Sequence, residues 1–136
     1  MKHLEVTAAI IVNNKEILCM QRKSSKYDYI SYKFEFPGGK VEKGEGKEEA
    51  LKREIYEELN MSVDVKPENH FLTIEHTYPD FMITMHSYIC NVSSRELTRK
   101  EHASEVWLKV EDLGGLDWAA ADLPIVRKLM RELKWE

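Results

Sequence analysis

The clearest hydrophobic pattern in the chain lies between Lys47 and Leu59. Within this segment Leu51, Ile55 and Leu59 recur at every fourth position, and charged residues fill most of the positions between them. This spacing places the apolar side chains on one face of an α-helix. Asn60 comes next, and asparagine is a common alternative to glycine in the left-handed conformation that ends a helix. The pattern predicts an amphipathic helix from Lys47 to Leu59 with Asn60 as its cap.

Shorter apolar runs, rich in branched and aromatic residues, predict β-strands in the rest of the chain. The first strand is predicted at residues 5–12, and it ends in the apolar run 8–12. The pair Asn13-Asn14 is a turn signal, and segment 16–21 resumes an apolar strand, so these two strands are expected to form a hairpin. The sequence Tyr78-Pro79-Asp80 is also typical of a turn. Further strands are predicted at residues 34–36, 71–77, 81–90 and 106–108.

Three further segments complete the predicted organisation. Residues 38–46 contain four glycines and are expected to form a loop. Residues 24–33 are polar and rich in tyrosine, which predicts an exposed loop. Pro124 fits the first turn of a last helix whose inner face carries Ile125, Leu129 and Leu133. Strands with one helix in the middle and one at the end predict an α/β fold with a mixed sheet between helices.

The composition is that of one globular domain. Of the 136 residues, 43% are hydrophobic and 32% are charged, so we expect a single domain over residues 1–136. The net charge is −4 and the basic residues are scattered, which argues against binding of a nucleic-acid polymer. A charged start and the lack of a long apolar run predict neither a secretory signal nor a membrane span. We expect a cytoplasmic protein, either a monomer or a homodimer.

Cysteine and histidine residues do not indicate a disulfide framework or a zinc site. Cys19 and Cys90 are the only cysteines, and both fall inside predicted strands. Buried free thiols are therefore expected. The five histidines show none of the paired spacings that are typical of zinc ligands.

The polar face of the predicted helix suggests metal binding. At about 100° per residue, Glu54, Glu57 and Glu58 fall on one arc beside the apolar stripe. Such carboxylates repel one another unless a cation lies among them, and hard oxygen ligands suit Mg²⁺ or Mn²⁺. Arg53 precedes Glu57 by four residues and is expected to pair with it. An acidic helix face that is simply exposed to solvent is the alternative interpretation.

The order of residues in this region resembles the Nudix box, a family motif written G-x5-E-x7-R-E-U-x-E-E-x-G-U, in which U is a bulky aliphatic residue. The one departure is Asn60 in place of glycine, and both residues accept the left-handed conformation. The resemblance extends over essentially the whole chain and implies the Nudix fold, an α/β/α sandwich. The matching residues are Gly39, Glu45, Arg53, Glu54, Ile55, Glu57, Glu58 and Met61.

Outside this motif the chain resembles the MutT and CTP pyrophosphohydrolase branch of the family. The similarity lies in residues 34–40, in Glu101 before Trp107, and in residues 120–124. The resemblance implies a metal site that consists of the Gly38 carbonyl, Glu54, Glu57, Glu58 and Glu101. Either Glu54 or Glu101 is expected to be the general base.

Two further residues of the motif are expected to support this site. Arg53 would orient a metal-binding carboxylate, and Glu57 is the expected partner. Glu45 would do similar work, or it would cap the start of the helix, where the helix dipole favours an acid. Both interpretations of Glu45 stay open at this point.

Two cations and three aromatic residues are candidates for contacts with a nucleotide. Arg22 and Lys40 could bind phosphates, the arginine as a bidentate clamp, or they could be ordinary surface cations. Phe36, Tyr78 and Phe81 could stack on a base, although aromatic residues in strands more often belong to the core. Of these three, Tyr78 fits the site best.

Asp122 is the candidate for reading the base. It matches the position at which this branch places an amide or an acid against the base edge, and helix capping before Pro124 is the alternative. A carboxylate accepts hydrogen bonds from the amino groups of cytosine or adenine and from the N1 and N2 donors of guanine. Recognition of oxidised guanine as in MutT would imply arginine and asparagine at two positions where this chain has Phe81 and Asp122.

The sequence therefore favours a Mg²⁺-dependent hydrolase that splits a nucleoside triphosphate, normal or oxidised, into monophosphate and pyrophosphate. Its role would be the sanitation or control of nucleotide pools. One alternative is a Nudix hydrolase of a nucleotide sugar or a dinucleotide. Another is a non-catalytic nucleotide-sensing module, which the complete set of carboxylates disfavours.

Overall fold

Strand β1 (Lys2–Asn13) lies at the centre of the sheet in the computed structural model, which describes residues 1–134. It pairs in parallel with β6 (Phe81–Asn91) and antiparallel with β2 (Glu16–Gln21), to which a tight turn connects it. The other strands are β3 (Phe34–Glu35), β4 (Gly38–Lys40), β5 (His70–Thr77) and β7 (Ser104–Lys109). Within residues 1–134 they form a seven-stranded sheet in the order β3-β2-β1-β6-β5, with β4 paired to β1 and β7 to β2. The predicted mixed sheet is confirmed.

The sheet separates two hydrophobic cores, because successive side chains of a strand point to opposite faces. In β1, Ile10 belongs to one core and Ile11 to the other. Helix α1 (Lys47–Leu59) covers the core that contains Ile11, and helix α2 (Leu123–Glu132) covers the core that contains Ile10. Burial on both faces explains why β1 ends in an uninterrupted apolar run. The expected α/β/α layering is confirmed.

Helix α1 has the predicted bounds, and it ends as predicted. Asn60 adopts the left-handed conformation, with φ 56° and ψ 28°. Its backbone N–H donates to the carbonyl oxygen of Tyr56 at 3.0 Å, and its side-chain oxygen accepts from Lys100 Nζ at 3.1 Å. Asn60 therefore satisfies one of the helix carbonyls that would otherwise lack a partner.

The two cysteines are buried and free, as expected. Cys19 and Cys90 are fully buried, and neither forms a disulfide. They lie in the two different cores, Cys19 on the α2 side and Cys90 on the α1 side. Burial raises the pKa of each thiol to about 12. Such thiols behave as small apolar residues.

Short 3-10 helices complete the connections at Pro67–Asn69, Val110–Gly115 and Ala120–Asp122. The last of these runs directly into α2, and the second packs against α2. No helix within residues 1–134 is both long and apolar enough to cross a membrane.

The predicted glycine loop is wrong at its start. Residues 38–40 form β4, which pairs antiparallel with residues 6–8 of β1. A Cβ atom at Gly38 would collide with the carbonyl group of Thr7, so glycine allows the two backbones to approach. Only residues 41–46 are irregular, and Gly44 has a φ of 81° there. The glycines indicated backbone freedom correctly, but the pairing with a distant strand was not visible in them.

The segment 24–33 is a loop, as predicted, but only part of it is exposed. Ile30 is only 8% exposed and belongs to the core. The rings of Tyr27 and Tyr29 stack with centroids 5.4 Å apart, and Tyr29 also stacks on Tyr78 at 5.3 Å. The hydroxyl of Tyr29 donates to Asp80 Oδ2 at 2.7 Å. Tyrosine can bury its ring while its hydroxyl stays at the surface, and this explains the difference.

The left-handed conformation of Asn60 leads to the first prediction. Asn60→Gly should change stability little, because glycine accepts this conformation. Asn60→Val should lower the free energy of unfolding by about 1–2 kcal/mol, because a β-branched residue is strained there. Thermal melting of both variants and the parent measures this difference. Equal melting temperatures for the Gly and Val variants would contradict the prediction.

Candidate active site

A cavity of about 600 Å³ opens beside α1, strands β3 and β4, and the turn between β5 and β6. Ten of the sequence-predicted site residues line it: Arg22, Phe36, Gly38, Lys40, Glu54, Glu58, Tyr78, Phe81, Glu101 and Asp122. Within the described residues, Glu45, Arg53 and Glu57 are not part of the lining. We call Glu54, Glu58 and Glu101 the acidic wall. We call Phe36, Tyr78, Phe81 and Asp122 the aromatic wall.

Arg53 organises the charged groups behind the acidic wall. Its Nε and Nη2 donate to the two oxygens of Glu45 at 2.7 and 3.0 Å. Its Nη1 donates to Glu54 Oε1 at 3.0 Å and to Glu57 Oε2 at 3.1 Å. Its Nη2 also donates to the carbonyl oxygen of Lys40 at 3.0 Å, which ties α1 to the end of β4. One planar guanidinium thus holds three carboxylates in fixed positions.

The contacts of Arg53 change two expectations. The expected pair with Glu57 is present, but Glu57 is 56% exposed, and Arg53 binds Glu45 more extensively, with two hydrogen bonds. This contact lowers the pKa of Glu45 and raises that of Arg53. Glu45 does not cap α1, because Gly46 is the cap residue and Glu45 instead accepts the backbone N–H of Glu42 at 3.1 Å. Its contacts are those of a residue that orients Arg53.

Glu58 is the most buried carboxylate of the acidic wall. Its Oε2 is closed off from solvent and has no hydrogen-bond partner among the described residues. Burial, and then the charges of Glu54 and Glu101, raises the pKa of Glu58 to about 9. Burial also raises the pKa of Glu54, although Arg53 opposes that effect. A buried oxygen among like charges and without a donor is a position where a cation would be stabilised.

Glycine is required next to this wall for a steric reason. A Cβ atom on Gly39 would collide with the carboxyl group of Glu54. Glu54 therefore lies directly on the backbone of β4, and any larger residue at position 39 would move it. The first glycine of the motif and its second glutamate are thus in contact, although 15 positions separate Gly39 from Glu54.

The acidic wall fits a divalent metal ion by its chemistry. It offers hard carboxylate oxygens, which Mg²⁺ and Mn²⁺ prefer, and an ion there would give Glu58 Oε2 a partner. Across residues 1–134, no three acidic, histidine or cysteine side chains converge to metal-binding distance. We therefore expect the carboxylates, including the exposed Glu57, to rotate toward an ion that binds.

The aromatic wall is held by contacts on its far side. Phe36 is buried and stacks on Trp118 with ring centroids 4.8 Å apart. The hydroxyl of Tyr78 accepts the backbone N–H of Ala121 at 2.9 Å, which fixes the ring beside Asp122. Phe81 packs against Tyr78 with centroids 5.1 Å apart. These rings are therefore both core residues and cavity residues, so the two interpretations of them do not exclude each other.

Asp122 is buried in this wall and does not cap α2. It is 4% exposed, and its side chain makes no capping hydrogen bond within the described part of the chain. Burial, and then the charge of Glu35, raises its pKa well above the ordinary value, while Arg22 opposes the shift. A protonated carboxyl group has one donor and one acceptor, as an amide has. Burial thus favours a form of Asp122 with a donor as well as an acceptor, whereas the charged form expected from the sequence has acceptors only.

The sequence reasoning did not identify Glu35 and His102, two residues of the lining that contact each other. Glu35 Oε1 accepts from Arg22 Nη1 at 3.0 Å, and Glu35 Oε2 lies 2.9 Å from His102 Nε2. The available signal was a charged residue between Phe34 and Phe36 in a short apolar strand. That signal does not distinguish a paired glutamate from one that simply faces solvent.

A mixed sheet between helices, with the glutamates of α1 beside a glycine-containing strand, is the arrangement of the Nudix hydrolases. The NUDIX domain model matches residues 1–132. The chain belongs to this family, which confirms the resemblance seen in its motif. Members of the family generally need divalent metal ions.

Three similar proteins refine this placement. The chain is 34% identical over 134 residues to the 8-oxo-dGTP diphosphatase of Escherichia coli (strain K12), covering 96% of this chain and 99% of that protein. It is 32% identical over 130 residues to the CTP pyrophosphohydrolase of the same organism, covering 96% and 93%. The solution structure of the E. coli ORF135 protein matches with a TM-score of 0.82 at 32% identity, over 96% of this chain and 91% of that one. The similarity to the MutT and CTP pyrophosphohydrolase branch is confirmed.

The raised pKa of Glu58 predicts how the stability of the metal-free protein depends on pH. The ordinary glutamate value is 4.5, and in the folded metal-free protein Glu58 titrates at about 9. Between these values the folded protein holds a proton that the unfolded chain has lost. The contribution of Glu58 to stability therefore falls as pH rises from about 5 to about 9. Melting temperatures measured in EDTA should decline across this window, and less steeply for Glu58→Gln.

Addition of Mg²⁺ supplies the second half of this test. A bound cation displaces the proton, so Mg²⁺ should raise the melting temperature of the parent more at about pH 8.5 than at about pH 6. Glu49→Gln is the matched control, because Glu49 is an exposed glutamate of the same helix outside the cavity. Identical pH slopes in the parent and in Glu58→Gln would show that Glu58 does not titrate in this range.

Proposed function

We propose that the chain is a Mg²⁺-dependent pyrophosphohydrolase, which converts a nucleoside triphosphate and water into a nucleoside monophosphate and pyrophosphate. The observation that carries this proposal is that the acidic wall and the aromatic wall share one cavity of about 600 Å³. A cavity of several hundred Å³ has the size of a small-molecule site. The relatives named 8-oxo-dGTP diphosphatase and CTP pyrophosphohydrolase support nucleoside triphosphates as the substrate class. The proposed role is sanitation or control of nucleotide pools in the cytosol.

The phosphates would lie at the acidic wall. When bound, Mg²⁺ or Mn²⁺ neutralises charge between phosphates and carboxylates and acidifies an attacking water. The proposed ligands are the Gly38 carbonyl, Glu54, Glu57, Glu58 and Glu101. Arg53, itself held by Glu45, keeps Glu54 and Glu57 oriented from behind. Glu54 and Glu101 both remain candidates for the general base that takes the proton of the attacking water.

The remaining phosphate charge would meet the cations that line the cavity. Arg22 and Lys40 are the proposed contacts, and both lie in the lining. Arg22 keeps part of its guanidinium for the substrate, because Glu35 holds its Nη1 and the side chain is 38% exposed. A guanidinium can bind two phosphate oxygens in a single plane.

The base would lie against the aromatic wall. Tyr78, Phe81 and Phe36 are the proposed stacking residues because they line the cavity, and Asp122 would present a donor and an acceptor to the base edge. Stacking on aromatic side chains is worth about 1–3 kcal/mol per base and discriminates little among bases. Discrimination is therefore assigned to Asp122.

A turnover panel tests the proposed reaction. Cytosine, guanine, adenine and 8-oxoguanine triphosphates, in ribo and deoxy forms, are compared with a nucleotide sugar and a dinucleotide. We expect monophosphate and pyrophosphate as products of the triphosphates, with turnover that needs Mg²⁺ or Mn²⁺. Release of orthophosphate, or a preference for the nucleotide sugar or dinucleotide, would show that another Nudix reaction takes place.

The metal assignment is tested by removing one negative charge at a time. Glu57→Gln and Glu58→Gln each keep the side-chain shape but lose an anionic ligand. Turnover should fall at least about 100-fold, because even the outer partners of metal ligands are worth about 10- to 100-fold. Folding should be preserved, because Glu57 is exposed and glutamine resembles the protonated form of the buried Glu58. Near-parental Mg²⁺-dependent turnover in both variants, judged beside Glu49→Gln, would contradict the assignment.

The role of Asp122 is tested by kcat/KM ratios among the same triphosphates. Asp122→Asn presents a donor and an acceptor as the protonated carboxyl does, so the ranking of bases should be kept. Asp122→Ala removes both, and discrimination should fall by about 1–3 kcal/mol, which is about five- to 100-fold. If Asp122→Ala has the same ranking as the parent, Asp122 does not read the base.

A further inference from the structure

Glu35 joins two parts of the cavity through its two carboxylate oxygens. Oε1 accepts from Arg22 Nη1 at 3.0 Å, and Oε2 accepts from His102 Nε2 at 2.9 Å. The side chain of Glu35 is 21% exposed and that of His102 is 6% exposed, so neither contact is a loose surface pair. Because a carboxylate oxygen accepts, Nε2 of His102 carries the hydrogen in this bond.

His102 is the buried neighbour of a residue of the acidic wall. Glu101 precedes it directly, is itself exposed, and lies in an irregular segment without helix or strand pairing of its own. The backbone of His102 is held by Arg99, whose Nε donates to its carbonyl oxygen at 3.1 Å. The next residue, Ala103, donates its N–H to the carbonyl oxygen of Gln21 at 2.8 Å. These contacts hold the backbone next to Glu101, and the contact of the His102 side chain with Glu35 adds a third anchor beside it.

Arg22 depends on Glu35 in a similar way. It follows the last residue of β2, and its backbone N–H donates to the carbonyl oxygen of Lys33 at 2.9 Å. Arg22 lines the same cavity as the aromatic wall. The hydrogen bond from Arg22 Nη1 to Glu35 fixes the position of this flexible side chain in the cavity. Without it, Arg22 would have many rotamers available and would lose entropy when it binds phosphate.

We infer that Glu35 is a positioning residue for the proposed hydrolysis: it sets Arg22 for the phosphates and, through His102, holds Glu101 at the acidic wall. This inference rests on the proposed function. One carboxylate can make both contacts because each oxygen accepts a hydrogen bond. A glutamine at this position has one acceptor and one donor group, so it cannot accept hydrogen bonds from both Arg22 and His102 Nε2 as the carboxylate does.

Glu35→Gln is the main variant, and Glu16→Gln is its matched control. Glu16 accepts from Arg95 Nη1 at 2.8 Å, and the two side chains are 29% and 35% exposed, which resembles the Glu35 pair, but Glu16 lies outside the cavity lining. We expect Glu35→Gln to raise KM for the triphosphate and to weaken Mg²⁺ binding, each about tenfold, as loss of an outer partner commonly does. Glu16→Gln should change neither. Mg²⁺ binding is measured without nucleotide, from the rise in melting temperature with Mg²⁺ concentration.

The histidine is tested by a pair of variants. His102→Leu removes the donor to Glu35 and should weaken Mg²⁺ binding about tenfold while KM changes less, because Arg22 keeps its partner. His102→Gln has an amide N–H that can donate to Glu35 and should restore Mg²⁺ binding toward the parental value. In the double variant Glu35→Gln, His102→Leu, the loss of Mg²⁺ binding should be no larger than in the more affected single variant.

The outcomes separate this inference from the proposed function. Parental KM and parental Mg²⁺ binding in Glu35→Gln would overturn the inference while leaving the reaction in place, as would independent, additive losses in the double variant. A parent that yields other products would overturn the proposed function, and the same comparison with its actual substrate would then decide the role of Glu35. A lower melting temperature in Glu35→Gln, with both other readouts unchanged, would mean that the residue is only structural.

Discussion

The ion pairs of Arg53 are the interaction on which the site depends. The motif places several carboxylates close together, and such a group would spread apart in water unless a cation held it. Arg53 binds Glu45, Glu54 and Glu57, whereas Oε2 of Glu58 has no hydrogen-bond partner within residues 1–134. The protein thus neutralises the rear of the acidic cluster with its own cation. The carboxylates on the cavity side of the cluster still repel one another. A bound cation would relieve that repulsion.

The sheet determines where this cluster can act. Because β1 is buried on both faces, α1 and α2 must lie on opposite sides of it, and β4 adds to its edge beside the start of α1. The acidic wall comes from the α1 side of the molecule, whereas Asp122 precedes α2 on the other side. A ligand that contacts both walls therefore spans the edge of the sheet.

The features that the sequence predicted are those with a local cause. The bounds of α1 follow from its own apolar spacing, and the conformation of Asn60 follows from the end of that spacing. The strands were found to within a few residues, because alternation and apolar runs are local as well. Gly38–Lys40 was taken as loop because its partner strand lies about 30 positions away, and pairing of that kind leaves no local mark.

The parts of the site that could not be predicted join residues that are far apart in the chain. His102 and Glu35 are separated by 67 positions, and Tyr29 and Asp80 by 51. Each of these residues, taken alone, is of a type that is common on protein surfaces. Their significance comes from the folded arrangement, in which a single carboxylate or ring meets partners from several elements. The motif identified the chemistry of the site, but the supporting contacts required the fold.

The burial of the two cysteines makes the protein a convenient reporter of its own motions. Cys19 and Cys90 lie in different cores. Because burial raises the pKa of each thiol to about 12, neither thiol reacts quickly while its core stays packed. Alkylation of either thiol must then wait for its layer to open. Mass spectrometry of the two labelled peptides would show whether the α1 layer or the α2 layer separates from the sheet first. The wild-type chain also provides a silent background for a fluorophore attached through a third, introduced cysteine.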